Sequence, residues 1–517
     1  MRHWRDHLRV GDQLLPEELT ASGTLLQAWS ERWKASPRAK LFLEVDRSGA
    51  SGPEHPVLPG HWWTAEHFDE ATRRIAERLC NAGLRPGDRV LWSTRSSVAS
   101  LTAHVGALRA GMVVVPANPA YSKRELTYIV DDVRPAAAIV ERPDQAEWIR
   151  AVSPHTLVTG TDGEGAGMDH RGADGHLLDA AEPDQPALIC YTSGTTGAPK
   201  GAVLTHRNLL AGAESLRIAW RWSPDDRLIH CLPVFHVHGL CVGIYGTLLA
   251  GASALLLPGF DPETVAVAAR AGEATMFFGV PTMYHRLVTS GRGPELAPLR
   301  LCVSGSAPLS PELNAAASAA VGSAVLERYG MTETLLLASN PYEGERRAGT
   351  VGFPLPGVDI QLAGGDEVLV RGPNVFGGYW ERPASNAESF DRSDDGGAPW
   401  FRTGDIGADD RGYLVIRGRS KELIISGGMN VYPAEIEDVL VTHPGVVEVA
   451  VTGTQSDEWG EVVTAWIVAD GSPPSLPELI EFSAPLLASY KQPRVLHVVD
   501  QLPRNALGKI VRGQLGR

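Results

Sequence analysis

Cysteine is scarce in this chain, with five in 517 residues. Cys80, Cys190, Cys231, Cys241 and Cys302 stand mostly in apolar surroundings and form no Cys-x-x-Cys pair. That odd, scattered set argues against a disulfide framework and fits a reduced, cytoplasmic setting. Basic charge is also short: 47 Lys and Arg face 61 Asp and Glu, a formal charge of −14. Such a balance excludes a general surface for nucleic acid, so a phosphate-bearing ligand needs a local cluster of cations. Long apolar runs are missing too. The longest uncharged stretch, 239–260, is interrupted by Gly243, Gly246, Gly251 and Pro258, and reads as buried helix, turn and strand rather than a membrane insertion. The first seven residues are polar with no apolar stretch behind them, so no secretory leader is expected. No internal repeat of fixed period is present.

What remains is an ordinary globular composition, 43% apolar and 21% charged, in a chain too long for one core. Helical spacing over 68–83 and 98–110 alternates with strand-like runs at 90–93 and 113–116. Strands alternating with helices predict an α/β fold with helix-covered parallel sheets. The Gly- and Asp-rich stretch 161–186 reads as a surface loop. Near Arg419 the pattern changes. Residues 418–428 are polar and carry glycines, and beyond them helices at 434–442 and 476–487 flank strands at 446–452 and 462–468. This predicts a large N-terminal domain, 1–418, and a small α+β C-terminal domain, 422–517.

The most informative segment is Tyr191-Thr192-Ser193-Gly194-Thr195-Thr196-Gly197-Ala198-Pro199-Lys200-Gly201, set between two short apolar runs. Hydroxyls, glycines and one ammonium in a tight loop between strands can wrap a polyphosphate, because N–H groups and hydroxyls donate to its oxygens. It is not a Walker A loop, since Lys200 is followed by Gly201 and an apolar run rather than by Ser or Thr opening a helix.

This loop resembles the signature of the adenylate-forming superfamily, which includes acyl-CoA synthetases, luciferases and peptide-synthetase adenylation domains. Further motifs follow in that superfamily's order: 231–239 (Cys-Leu-Pro-Val-Phe-His-Val-His-Gly), 304–308 (Ser-Gly-Ser-Ala-Pro) and 327–333 (Glu-Arg-Tyr-Gly-Met-Thr-Glu). Then come 372–380 (Gly-Pro-Asn-Val-Phe-Gly-Gly-Tyr-Trp), 401–405 (Phe-Arg-Thr-Gly-Asp), 418–428 and 503–509 (Pro-Arg-Asn-Ala-Leu-Gly-Lys). The resemblance implies an ATP-dependent reaction with Mg²⁺ and coenzyme A: a carboxylate attacks ATP to give an acyl-adenylate, and a thiol then displaces AMP.

Roles implied by the resemblance attach to particular residues. Thr192, Ser193, Gly194, Thr195, Thr196, Gly197 and Lys200 would bind ATP with Ser304, Gly305, Ser306, Ala307, Glu327, Arg328, Tyr329, Gly330 and Met331. Glu333 would hold Mg²⁺, whose hard character suits oxygen ligands, and Thr332 would add a hydroxyl to the phosphates. Asp405 would accept from the ribose diol beside Arg419, although on residue type alone it is equally a turn residue. Lys509 would enter only for adenylation, carried by a small lid that pivots at Lys421, in a 419–421 hinge. A cation delivered for one half-reaction is a gating device. Gly427 and Gly428 would line the thiol path. Lys491 and Arg494 would meet CoA phosphates, or are solvated charges. His236 of the His236-x-His238 pair would gate the acyl pocket; a zinc site lacks further ligands of suitable spacing.

The acid is read from 277–288, which the resemblance places at the acyl pocket with Gly279 and Met331. Its pattern, Gly-Val-Pro-Thr-Met-Tyr-His-Arg-Leu, is similar to malonyl-CoA synthetases. A dicarboxylate would compensate Arg286, which in a fatty-chain pocket would be a costly unpaired cation. Outward-facing on its helix, Arg286 would instead leave a medium-chain or aromatic acid as substrate. Two further readings stay open: loading of a carrier protein instead of CoA, and a silent nucleotide-binding protein. The expected partners are small molecules, and the chain is expected to be a monomer or homodimer.

Overall fold

The computed structural model describes all residues except 46–59, 163–176, 193–198, 272, 365, 393–395, 427–428, 457–458, 506–507 and 517. The chain divides into two compact units, Met1–Ile360 with Val370–Phe401, and Gln361–Leu369 with Arg402–Arg517.

Strand alternation in the first unit yields two mainly parallel sheets. One runs, in spatial order, through Leu157–Thr159, Ala137–Val140, Arg89–Ser93, Val113–Pro116, Pro186–Thr192 and Lys200–Thr205, parallel up to its last, antiparallel pair. Val113–Pro116 and Ala137–Val140 are buried at every position, as strands covered on both faces must be. Helix Ala65–Asn81 begins at Thr64, whose side chain accepts from His67 N–H, and buries Phe68, Thr72, Ile75, Ala76 and Leu79. Helix Val98–Arg109 is buried at every position but Ala99. The two helices pack so closely that a Cβ on Gly106 would fall 2.7 Å from Ile75.

The other sheet has a parallel centre in which Leu326–Tyr329, Leu301–Ser304, Met276–Gly279, Arg227–His230, Ser253–Leu256 and Lys40–Glu44 lie side by side. The long uncharged stretch resolves into a π-helical segment His238–Ile244, a helix Tyr245–Ala250, a turn at Gly251 (φ +69°) and the strand Ser253–Leu256. Among the described residues no helix is long and apolar enough to cross a membrane.

The second unit combines the hairpin of Trp400–Asp410 and Tyr413–Arg419 with a sheet of Met429–Val431, Ile424–Ser426, Gly460–Val468, Glu448–Ser456 and Val495–Val498. Helices Pro433–Leu440 and Leu476–Ser483 cover it through Ile436, Leu440 and Leu479. The hairpin clusters with the C-terminal residues, so the compact unit starts ahead of the 419–421 segment. Fold class is as expected: α/β, with a large and a small body.

Candidate active site

Strands Pro186–Thr192 and Lys200–Thr205 form a hairpin in which Thr192 faces Lys200. Ser193, Gly194, Thr195, Thr196 and Gly197 lie outside the described residues, and Thr192 and Lys200 mark the ends of the polar loop. Thr192 Oγ1 donates to the Lys200 carbonyl at 3.4 Å. Both ends are tied to helix Lys123–Val133: Tyr191 O–H donates to Asp132 at 2.6 Å, and Tyr128 O–H to the Pro199 carbonyl at 2.9 Å. Arg382 pairs with the same Asp132.

The 372–380 motif docks on this hairpin through Trp380 N–H to the Gly201 carbonyl, 2.8 Å, and Val203 N–H to the Gly378 carbonyl, 3.1 Å. Tyr379 thereby reaches both charged residues of the site. Its ring centre lies 5.3 Å from Lys200 Nζ, and its O–H donates to Glu333 Oε1 at 2.9 Å. Glu333 is buried. Burial pushes the neighbouring Cys190 thiol up to about 12, and the Glu333 charge adds to that. No role was expected for Tyr379, although it stands in a quoted motif. Its aromatic ring with one polar tip, among glycines, is the signal that would have found it.

A second cluster forms where Met276–Gly279, Leu301–Ser304 and Leu326–Tyr329 end together, Gly279 beside Ser304 and Ser304 beside Glu327. Carboxyl ends of parallel strands are where α/β sheets bind ligands. Ser306 takes a left-handed backbone (φ +73°), a strained conformation for a residue with a Cβ, and its Oγ lies 3.0 Å from His238 Nδ1. Arg328 is 5% exposed, and among the described residues its Nε and Nη2 have no hydrogen-bond partner. The same is true of His238 Nε2 and Ser304 Oγ. Gly305 lies against the guanidinium; a Cβ there would come within 2.5 Å of it. Burial pushes Arg328 down to about 9. Burial, then the Arg328 charge, holds His238 well below its usual value. The cluster therefore offers a cation, a neutral imidazole and a hydroxyl, all dry and in need of an acceptor or donor.

His236 is half-buried beside it, its Nδ1 accepting from His238 N–H at 3.3 Å. Ala307, Tyr329, Gly330, Met331 and Thr332 are half-buried on the same strand ends and the turns that follow, and Glu327 Oε1 accepts from Leu309 N–H at 3.2 Å. Arg286 does not join them. Helix Pro281–Thr289 buries Pro281, Tyr284 and Leu287, which leaves Arg286 exposed on another face, its guanidinium 5.0 Å from the centre of the Phe260 ring.

In the second unit, Asp405 faces Arg419 across the hairpin, and Arg419 Nε lies 3.1 Å from Asp405 Oδ1. Asp405 is buried. Lys509 is half-buried. Burial and then Arg419 lower its affinity for a proton, while Glu422 and Asp405 oppose them. A terminal lysine is thus drawn in among the ribose-site candidates. Lys421 is exposed in the turn Ser420–Glu422. Lys491 is ion-paired with Glu435 at 2.5 Å, and the Arg494 guanidinium stacks 4.0 Å from Trp459. Gly427 and Gly428 lie outside the described residues.

Comparison with known proteins accords with this geometry. Residues 45–380 match the AMP-binding enzyme family, and residues 435–509 match the AMP-binding enzyme C-terminal domain. A feruloyl-CoA synthase from Amycolatopsis sp is 36% identical over 493 residues, covering 90% of this chain and 96% of that protein. A malonate–CoA ligase from Arabidopsis thaliana is 34% identical over 481 residues, covering 84% and 78%. The crystal structure of ATP-bound MatB from Rhodopseudomonas palustris superposes with a TM-score of 0.85 at 37% identity, covering 95% of this chain and 98% of that one.

Proposed function

The chain belongs to the AMP-binding enzyme family and is an AMP-forming acid–CoA ligase, and from that premise we propose that its acid is malonate or a small 2-substituted malonate. One carboxylate attacks the α-phosphorus of ATP, pyrophosphate leaves, and the thiol of CoA then takes the acyl group from AMP. The observation that carries the choice of acid is the buried Arg328 guanidinium, given to ATP by the resemblance and reassigned to the acid in this reading, whose Nε and Nη2 have no hydrogen-bond partner among the described residues. A monocarboxylate would leave that cation dry and unpaired. The second carboxylate of a dicarboxylic acid supplies the missing charge and acceptors. The relative that acts on malonate points the same way.

Lys200 stands at the phosphates, and Glu333 would hold a Mg²⁺ ion, which would supply charge neutralisation there. Among the described residues no group of three or more His, Cys, Asp or Glu could hold a metal. Glu333 would be one oxygen ligand to such an ion, whose hard character suits carboxylate, phosphate and water. Asp405 accepts from the ribose hydroxyls. Lys509 supplies a second cation during adenylation, and Lys421 is the pivot that brings it.

AMP release and thioester mass, measured with ATP, Mg²⁺ and CoA, test the reading when malonate, methylmalonate, octanoate and benzoate are offered separately. Strong preference for malonate or methylmalonate is expected. A preference for benzoate would favour the aromatic alternative that the feruloyl-CoA synthase relative suggests.

A further inference from the structure

Lys509 lies in a small closed turn. Asn505 N–H donates to the Lys509 carbonyl at 2.9 Å, Lys509 N–H to Asn505 Oδ1 at 3.0 Å, and Val511 N–H to the Pro503 carbonyl at 2.8 Å. Gly508 takes φ +76° and Arg504 pairs antiparallel with Ile510. These bonds fix the turn internally. They say nothing about what fixes it to the body of its unit.

Arg512 does that. Its Nη2 lies 2.8 and 2.7 Å from the two carboxylate oxygens of Glu437, on helix Pro433–Leu440. Its Nη1 lies 3.3 Å from Glu422, in the turn after Arg419, and its Nε donates to the Val451 carbonyl at 3.3 Å. One planar side chain thus ties the tail to a helix, a turn and a strand, and it is only 20% exposed. Glu437 also accepts from Val451 N–H at 2.6 Å. The Glu422 carboxylate that Arg512 holds is one of the charges felt by Lys509.

We infer that Arg512 is a positioning residue for Lys509, acting through Glu437 and Glu422 to set where the ammonium stands in adenylation. The inference rests on the reading of Lys509 given above. Lysine could not make all of these contacts, because a single ammonium lacks the spread of donors that reaches two carboxylates and a carbonyl. Misplacing a catalytic group by about 1 Å costs on the order of 100-fold in rate.

The experiment measures two half-reactions on the full chain: malonate-driven ATP–pyrophosphate exchange, and CoA-dependent consumption of supplied acyl-adenylate. Arg512→Gln should lower the first by about 100-fold and leave the second near wild type, with Arg512→Lys in between. Equal losses in both half-reactions, or no loss in exchange, would overturn the inference. Lys509→Ala runs alongside. If that variant spares exchange, the reading of Lys509 fails on its own account; if it abolishes exchange selectively while Arg512→Gln does not, only the positioning role fails. Should Arg512→Gln not fold, Glu422→Gln breaks one arm of the clamp and must show the same selective loss.

Discussion

Replacing Arg328 by Met separates a substrate-binding cation from a structural one. In the free protein the guanidinium is 5% exposed, has two nitrogens without a partner among the described residues, and is pushed down to about 9 by burial. Removing it relieves a desolvation cost and leaves no orphaned carboxylate. Stability should hold or rise, by about 1 kcal/mol or more. With malonate bound the balance reverses. Truncating one partner of a buried, hydrogen-bonded charge pair costs about 3–5 kcal/mol, which is roughly 140- to 3,700-fold in kcat/KM at about 1.4 kcal/mol per tenfold. Butanoate, similar in length but uncharged at its far end, should gain relative to malonate. The assay is AMP release over a range of each acid, with Tm measured on the same preparations. The wild-type kcat/KM for malonate should also fall as pH rises through about 9, because that profile reports the free enzyme and Arg328 loses its charge there. Parallel loss for malonate and butanoate, or a Tm lowered by several degrees, would refute the reasoning and make Arg328 a scaffold residue.

Three other outcomes are expected. Lys509→Ala should cripple pyrophosphate exchange yet spare thiolation of supplied acyl-adenylate; equal loss in both would remove its lid role. Glu333→Gln keeps an acceptor for Tyr379 but loses the charge, so activity should fall by about 100-fold and recover in part at high Mg²⁺, whereas a magnesium-independent loss would point to fold damage. Acid should weaken the first unit, because burial pushes His7, His206 and His230 down to about 4 and His104 to about 3. Unfolded histidines take up protons below about pH 6.5 that the native ones refuse, so stability is lost as pH falls from there towards 4. Between pH 6.5 and 5 each contributes up to about 2 kcal/mol, and urea midpoints that do not move between pH 7 and pH 5 would contradict this.

Much of the architecture was legible because burial leaves a periodic trace. The all-apolar strand at 113–116 and the three-and-four spacing from Phe68 to Leu79 occur as expected, with helix ends displaced by two or three residues where caps decide them. Thr64 starts its helix ahead of the first apolar residue by accepting from His67, a local bond that hydrophobic spacing does not register. Lys509 shows the opposite limit. Near a chain end, lysine is ordinarily solvated, and it is burial with the tertiary charges of Arg419, Glu422, Asp405 and Arg512 that gives it a surrounding.

The two arginines show how a residue's face could have been read from the same rules. On a helix, the buried set Pro281, Tyr284 and Leu287 defines one stripe. Arg286 stands two residues after Tyr284, about 200° round the helix, so the periodicity already turns it away from that stripe. On a strand the period is two. Leu326 and Arg328 share one face and Glu327 takes the other, yet all three are buried, because a central strand of such a sheet is covered on both faces. A charged residue on that strand is therefore buried whichever face it takes, and what it meets there is set by tertiary packing. Gly305 leaves room for the guanidinium, and no carboxylate pairs with it among the described residues. A buried cation that the fold leaves unpaired is tolerated where a ligand completes it, which is why the choice of acid hangs on Arg328 more than on the exposed Arg286.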